Sequence, residues 1–130
     1  MIVRSLEDIR KSGHEIKSDG WTSRRYLLNK DKMGFSFHET IIDEGAELNM
    51  WYKNHLESVY CVAGEGQIIA RDTGEKWDIK PGTIYALDKH DKHTLICHKE
   101  LRLLCAFNPP CTGQEKHDAE GAYPLLKDES

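Results

Sequence analysis

The sequence predicts an all-β domain, a sandwich or a barrel, that follows one short helix. From Trp21 onward, short apolar runs recur at a spacing of about 8–12 residues, which is typical of such folds. The segments between the runs contain Gly, Pro, Asn or Asp, the usual turn formers. A chain of 130 residues fits one domain with one core and one enclosed pocket. We therefore predict a single domain over residues 1–130, in which residues 108–130 form a C-terminal tail.

The helix is predicted close to the N-terminus. Ser5 is followed three residues later by Asp8, which resembles a capping box with Asp in place of the usual Glu or Gln. The helix should end near Gly13. Because Arg4 and Glu7 interrupt the apolar residues of this segment, it does not read as a signal peptide.

Nine short strands are predicted after the helix. They cover Ser23–Leu28, Phe35–Ile42, Ala46–Tyr52, Ser58–Ala63, Gly66–Arg71, Glu75–Ile79, Thr83–Leu87, His93–His98 and Leu101–Phe107. The segment Gly64-Glu65-Gly66 lies between two of these strands and precedes no helix. We therefore expect a hairpin turn there, and not a nucleotide-binding loop.

Composition and charge exclude several classes of protein. The net charge of -4 and the lack of a basic stripe argue against a nucleic-acid partner. No apolar run approaches the ~20 residues of a membrane span. The four cysteines form no CxxC pair, which disfavours a zinc ribbon. Without an export signal, we expect them to be reduced thiols in a cytoplasmic protein.

Strand alternation predicts which side chains share a face. Several faces mix apolar and polar side chains, and the series Glu57, Val59 and Cys61 is one of them. The others are Trp21, Ser23 and Arg25; Ser36, His38 and Thr40; Thr83, Tyr85 and Leu87; His93, Leu95 and Cys97; and Cys105 and Phe107. An interior of this kind predicts a ligand cavity, because a purely structural core would not accept so many polar groups.

A spaced pattern of glycines and a glutamate runs from Gly45 to Gly64. Five residues follow Gly45, then come Trp51-Tyr52-Lys53, three more residues, Glu57, six more residues and Gly64. This resembles the first motif of the cupin family, which has Gly, His-x-His, Glu and Gly at this spacing. The glycines and Glu57 are in register, but Trp51 and Lys53 stand at the two histidine positions.

A second pattern begins at Gly82 and ends at His93, and it resembles the second cupin motif at those two residues. The resemblance implies a β-barrel of the jelly-roll type. Of the usual three-His-one-Glu metal site, only Glu57 and His93 remain, so a third ligand must come from elsewhere on the inner wall. We assign it to Tyr85. The resulting O,O,N donor set suits Fe(II), while zinc stays possible.

Four longer segments carry a more specific resemblance. They are residues 33–38 (MGFSFH), 50–57 (MWYKNHLE), 60–66 (YCVAGEG) and 107–117 (FNPPCTGQEKH). In these segments, and in length and motif order, the chain resembles the ectoine synthase family. The resemblance implies a hydro-lyase that cyclises N4-acetyl-L-2,4-diaminobutanoate to the compatible solute L-ectoine, with iron as the metal and a homodimer as the assembly.

The same resemblance, with the shared faces, suggests roles for the remaining site residues. The expected substrate-binding residues are Trp21, Ser23, Arg25, His38, Thr40, Cys105 and Phe107. The expected catalytic residues are Tyr52, His55, Glu115 and His117. For Cys105, a core position is an equal alternative. The division of these groups into acid and base stays open.

The C-terminal tail is predicted to act as a lid. Asn108-Pro109-Pro110 stiffens the exit from the last strand and would return the chain over the barrel mouth. Glu115 and His117 would then point into the opening; the alternative is a solvated tail. Two other functions also stay open: a non-catalytic cupin that senses or stores a small molecule, and another iron cupin enzyme such as a dioxygenase.

Overall fold

A computed structural model describes residues 1–113 of the chain. Its helix α1 spans Leu6–Lys11, as predicted. Both halves of the capping box are present: the Asp8 amide donates to the Ser5 hydroxyl at 3.1 Å, and the Ser5 amide donates to the Asp8 carboxylate at 2.9 Å. A short polar side chain thus satisfies amides that a helix start leaves without intrahelical partners. Glu115 and His117 lie outside the described residues.

Eight strands follow α1 and form one antiparallel sheet. They are β1 (Glu15–Ser18), β2 (Trp21–Leu27), β3 (Ser36–Ile42), β4 (Glu47–Trp51), β5 (Leu56–Ala70), β6 (Lys76–Ile79), β7 (Ile84–Leu87) and β8 (Lys92–Asn108). One turn of 3-10 helix at Asn29–Asp31 separates β2 from β3. The all-β prediction with one short helix is confirmed.

The two long strands β5 and β8 organise the sheet. The strand order is β1-β2-β3-β8-β5-β6, with β4 also paired to β8 and β7 also paired to β5. Along β8, the first half pairs with β4 and the second half pairs with β3. Along β5, the first half pairs with β7 and the second half pairs with β6. Because each long strand changes partner midway, the sheet bends around an interior, as in a cupin barrel.

The prediction of nine separate strands is wrong at two places. The runs at residues 58–63 and 66–71 belong to the continuous strand β5, and those at residues 93–98 and 101–107 belong to β8. The expected hairpin at Gly64 is therefore also wrong. Between Cys61 and Gly66 the register against β8 shifts instead, which marks a β-bulge. The strand β1 was not predicted, because its four residues show no clear alternation.

At Gly64, β8 passes so close to β5 that a side chain would not fit. Its φ is +93°, a conformation that strains other residues, and a Cβ there would overlap the carbonyl oxygen of Glu100. A Cβ on Gly66 would overlap the Ile96 carbonyl in the same way. The two glycines thus permit the close approach of β5 and β8 at the bend, and they do not form a turn.

The inner face of the sheet forms the core. Its apolar side chains include Ile42, Val59, Leu95, Leu101 and Leu103, each at most 3% exposed. All four cysteines are buried and free. Within residues 1–113, no helix has the length and apolar character that crossing a membrane requires.

An ion pair fastens the N-terminal segment to the end of β2. The Arg4 guanidinium donates to both carboxylate oxygens of Asp31, at 2.8 and 2.7 Å, and to the Tyr26 carbonyl at 2.7 Å. The Leu28 amide also donates to Asp31, at 2.8 Å. The Arg4 guanidinium, and to a lesser extent the Leu28 amide, lower the pKa of Asp31 in the folded chain.

We predict that Gly64→Ala destabilises the fold much more than Gly74→Ala does. Gly74 also has a positive φ, +76°, but nothing lies within 4 Å of its missing Cβ. Its substitution should cost only the backbone strain, about 1–2 kcal/mol. At Gly64 the clash with Glu100 is added, for a loss of about 3 kcal/mol or more. Urea unfolding of both variants measures the difference, and equal losses would contradict the close approach.

We predict that Arg4→Ala lowers the free energy of unfolding by about 1 kcal/mol at pH 7. The folded pKa of Asp31 is lowered, so the ion-pair contribution is complete above the unfolded value of about 3.9. It is lost as the pH falls through the lower folded value. Urea unfolding at pH 7 and in acid tests this, with Lys11→Ala, from an exposed pair with Glu7, as the control. An undiminished Arg4 effect in acid would contradict it.

Candidate active site

A cavity lies inside the barrel, and most of the predicted site residues line it. The volume of this cavity is about 40 Å³. The lining residues that were predicted are Trp21, Ser23, His38, Thr40, Tyr52, Glu57, Tyr85, Cys105 and Phe107. Arg25, His55 and His93 are buried but are not part of this lining. Apolar residues such as Met50 and Leu95, which read as ordinary core in the sequence, complete the wall.

Strand register explains why these side chains meet. In the pairing of β2 with β3, Ser23 lies opposite Thr40 and Arg25 lies opposite His38. In the pairing of β3 with β8, His38 lies opposite Cys105. Since paired residues point to the same side of a sheet, inward-facing residues form continuous rows across several strands. The predicted shared faces are confirmed for β2, where Trp21, Ser23 and Arg25 are all buried.

The carboxyl group of Glu57 is held in a dry environment. Burial raises its pKa to about 8, although a hydrogen bond with the Cys105 thiol acts in the opposite direction. Burial also raises the pKa of Cys105 well above its ordinary value. The Cys105 thiol also donates to the Thr40 hydroxyl, with 3.6 Å between the sulfur and the oxygen. At neutral pH, a carboxyl group in this setting becomes ionised only when a positive charge comes close.

Tyr85 shares the surroundings of Glu57. It pairs with Val59 across β7 and β5, so it stands diagonal to Glu57 on the inner face. Burial raises the pKa of the Tyr85 hydroxyl well above its ordinary value, and the negative charge of Glu57 raises it further. The structure thus brings a carboxyl and a phenol together in the cavity, as the strand parity predicted.

His93 presents one ring nitrogen to the interior. Its Nδ1 lies 2.9 Å from the Asp91 carbonyl oxygen, which can only accept, so Nδ1 carries the proton. Its Nε2 is buried and has no hydrogen-bond partner within the described residues. Burial lowers the pKa of His93, which favours the neutral ring. An imidazole fixed in this way offers an available lone pair, the state in which histidine binds metals.

These observations fit a metal held by Glu57, Tyr85 and His93. The imidazole lone pair is available, and a cation would stabilise the ionised carboxylate and phenolate that burial otherwise disfavours. Within residues 1–113, no cluster of three or more His, Cys, Asp or Glu side chains is arranged for a metal. The predicted donor set therefore needs the phenol of Tyr85 as its third member. The Asp91 carbonyl is not a donor to the metal, but it orients the His93 ring through Nδ1, and no side-chain pattern could have revealed it.

His38 is an uncharged polar group in the cavity wall. Burial, helped by the charges of Arg25 and His55, lowers its pKa to about 3. Its ring centroid lies 5.0 Å from that of Phe107. Its Nε2 is buried without a hydrogen-bond partner in the described part of the chain. Such an atom can form a hydrogen bond with a polar group of a bound molecule.

Aromatic rings form the other part of the wall. Phe107 contacts Tyr52 edge to face, with centroids 5.3 Å apart, and His55 in the same manner at 5.9 Å. The Tyr52 hydroxyl donates to the sulfur of Met50 at 3.5 Å. His93 is also close to Tyr52, with ring centroids 6.0 Å apart. Phe107 is therefore the common neighbour of the groups predicted to bind the substrate and to carry protons.

Comparison with known proteins shows the family of the chain. A family model described as ectoine synthase matches residues 1–127. An L-ectoine synthase of Desulfatibacillum aliphaticivorans is 56% identical over 130 residues, which cover 98% of this chain and 100% of that protein. The crystal structure of the ectoine synthase from P. lautus superposes with a TM-score of 0.86 at 51% identity, over 100% of this chain and 94% of that one.

A more distant structure supports the fold alone. An RmlC-like cupin from Shewanella frigidimarina superposes with a TM-score of 0.57 at 18% identity, over 72% of this chain and 79% of that one. The barrel is thus of the cupin type, as the two spaced motifs implied. With a family model that spans almost its whole length and relatives that share more than half of its residues, the chain belongs to the ectoine synthase family.

Proposed function

We propose that this enzyme closes the ring of L-ectoine by an intramolecular condensation of N4-acetyl-L-2,4-diaminobutanoate with loss of water. Family membership supports a hydro-lyase of this kind. The observation that carries the proposal is the cavity itself. It combines the buried carboxyl of Glu57, the phenol of Tyr85 and the available Nε2 of His38 with aromatic walls, and His93 is buried nearby, next to Tyr52.

The reaction sets four demands on the site. The substrate amine must be deprotonated, the acetamide carbonyl must become more electrophilic, and its oxygen must leave as water. The amine and the carbonyl belong to one flexible molecule, so they must also be brought together. The walls of a cavity can meet this last demand by holding one bound molecule in a curled conformation, with its two groups close together.

We propose that Glu57, Tyr85 and His93 hold a metal ion, Fe(II) or alternatively zinc. When bound, such an ion acts as a Lewis acid that makes a substrate carbonyl more electrophilic. The fixed tautomer of His93 and the dry surroundings of Glu57 and Tyr85 support this assignment. With these three residues assigned to the metal, the other residues of the cavity wall are available to bind the substrate.

Substrate binding is assigned to the remaining lining residues. Trp21, Tyr52 and Phe107 supply apolar walls that favour the curled conformation. Ser23, His38 and Thr40 supply neutral polar groups, and Cys105 lines the wall beside Thr40. Apolar walls also keep bulk water from the condensation, which water would oppose.

Proton transfer is assigned to His55, Glu115 and His117, together with Tyr52. His55 is buried, and its ring contacts that of Phe107, which lines the cavity. Glu115 and His117 follow the described residues and stay predictions. General acids and bases of this type contribute about 10²–10⁴-fold each.

We further propose that the enzyme is a cytoplasmic homodimer. Free, buried cysteines agree with a reducing compartment. Large apolar side chains are exposed on β5, β6 and β7, where Tyr60 is 42%, Trp77 49% and Ile84 63% exposed. An outer face with such residues is suited to contact with a second copy of the chain.

We predict that the purified protein with Fe(II) converts N4-acetyl-L-2,4-diaminobutanoate to L-ectoine in the absence of oxygen. The condensation involves no net oxidation, so oxygen is not a reactant. Product analysis by NMR measures the conversion. Oxygen consumption coupled to turnover would indicate a dioxygenase instead. Ligand binding without any turnover would indicate a sensor barrel.

We predict that Glu57→Gln, Tyr85→Phe and His93→Gln each weaken iron binding by at least about tenfold while the barrel stays folded. Glu57→Gln removes the negative charge of the carboxylate, Tyr85→Phe removes the phenol oxygen and His93→Gln removes the imidazole nitrogen, while each keeps the approximate side-chain size. Metal analysis after dialysis and circular dichroism measure the two properties. The matched controls are Glu65→Gln, Tyr60→Phe and His98→Gln, which are exposed positions on β5 and β8. Full iron occupancy in Tyr85→Phe would remove Tyr85 from the ligand set.

A further inference from the structure

We propose that Arg25 is a positioning residue that fixes the course of the chain at Gly113, where residues 108–113 leave the barrel beside the cavity. The proposal rests on the proposed function, since it concerns how the same site is completed. It differs from the expectation that Arg25 binds the substrate, because a nitrogen of its guanidinium donates to a backbone carbonyl of the protein.

The hydrogen bonds of Arg25 carry this inference. Arg25 is 1% exposed and faces the barrel interior from β2. Its Nη1 donates to the Gly113 carbonyl at 2.9 Å, across 88 positions of sequence. Its Nε donates to the Ser23 hydroxyl at 3.4 Å. One planar cation thus joins the wall of the cavity to the exit segment of the chain.

The exit segment is held at further points. The Cys111 amide donates to the Ser36 hydroxyl at 2.9 Å, and the Cys111 carbonyl accepts from the Asn29 amide at 2.8 Å. Cys111 is 0% exposed and Thr112 is 9% exposed. These contacts fix the segment next to β2 and β3, so its last residue reaches Arg25 in a defined position.

Gly113 fits this place closely. Its φ is +102°, and a Cβ there would lie 2.8 Å from Cδ1 of Leu28. A glycine therefore allows the carbonyl to approach the guanidinium while Leu28 packs against the backbone. The contact therefore needs the guanidinium of Arg25 as the donor and a residue without a side chain at position 113.

Arg25 is also connected to the cavity through its neighbours. Ser23, which it contacts, lines the cavity, and so does His38, its partner in the β2–β3 register. A lysine at this position would keep the charge but lose the planar fork that reaches two acceptors at once. The exit of the chain is therefore coupled to the cavity wall through the guanidinium itself.

The two roles for Arg25 predict different kinetics. Loss of a group that binds the substrate carboxylate raises KM strongly. Loss of a group that positions the exit segment lowers kcat, frees the segment and leaves KM little changed. The variants Arg25→Ala and Arg25→Lys in the full iron-loaded enzyme distinguish the roles. Arg24→Ala is the matched control, because Arg24 faces outward and pairs with Glu15 and Glu39.

Hydrogen exchange followed by mass spectrometry reports on the exit segment directly. In both Arg25 variants, we expect the Cys111 amide to exchange about 10- to 100-fold faster and kcat to fall by a similar factor. Methylguanidine should restore part of kcat in Arg25→Ala. Arg24→Ala should lower the unfolding midpoint without changing the exchange of Cys111 or kcat.

Two outcomes would overturn the proposal. One is a KM more than about tenfold higher with unchanged exchange at Cys111, which indicates a substrate ligand. The other is unchanged exchange and unchanged kinetics in Arg25→Lys. If Arg25→Ala does not fold, Arg25→Lys supplies the same comparison. The exchange measurement needs no turnover, so it stays decisive even if the enzyme makes a different product.

Discussion

The pairing of β5 with β8 is the interaction on which the site depends. It places Glu57 opposite Phe107 and Val59 opposite Cys105, and so joins the proposed metal site to the substrate wall. At the other end of the same pairing, His93 lies opposite Ala70. The third proposed ligand, Tyr85, is carried by β7, whose partner in the sheet is β5. At Gly64 the missing side chain permits the close approach of β8, and the register of this pairing shifts there.

The cavity has a consistent electrostatic character, because desolvation dominates over specific pairing inside it. Burial raises the pKa of Glu57 to about 8 and lowers that of His38 to about 3, so both favour their neutral forms near pH 7. A dry site of neutral groups disfavours any charge that enters it, unless that charge finds a partner of opposite sign. A divalent cation next to Glu57 and Tyr85 would change this balance locally, while His38 stays a neutral polar contact.

Much of the site could be predicted from sequence because alternation along a strand is a local property. Parity predicts which side chains of β2, β3 and β7 share a face. The roles of these residues, and the choice of Tyr85 as a ligand, come from the resemblance to the family. The continuity of β5 and β8 could not be predicted in this way. Gly64-Glu65-Gly66 reads locally as a turn, and only the passage of β8 at Glu100 makes it a bulge. The contact of Arg25 with Gly113 has no local signal either, since 88 positions separate the two residues.

The neighbouring residues Arg24 and Arg25 show how one strand serves stability and function on its two faces. Arg24 points outward, where its guanidinium pairs with Glu15 at 2.9 Å and with Glu39 at 2.8 Å. Arg102 reaches the other oxygen of Glu39 at 2.6 Å, so the charges link β1, β2, β3 and β8. This outer network contributes to the stability of the sheet. Arg25, one residue on, faces the interior and contacts Ser23 and Gly113. The two faces of β2 thus separate the charges that stabilise the strands from the group proposed to act beside the cavity, and the outer network places none of its own charges in the cavity lining.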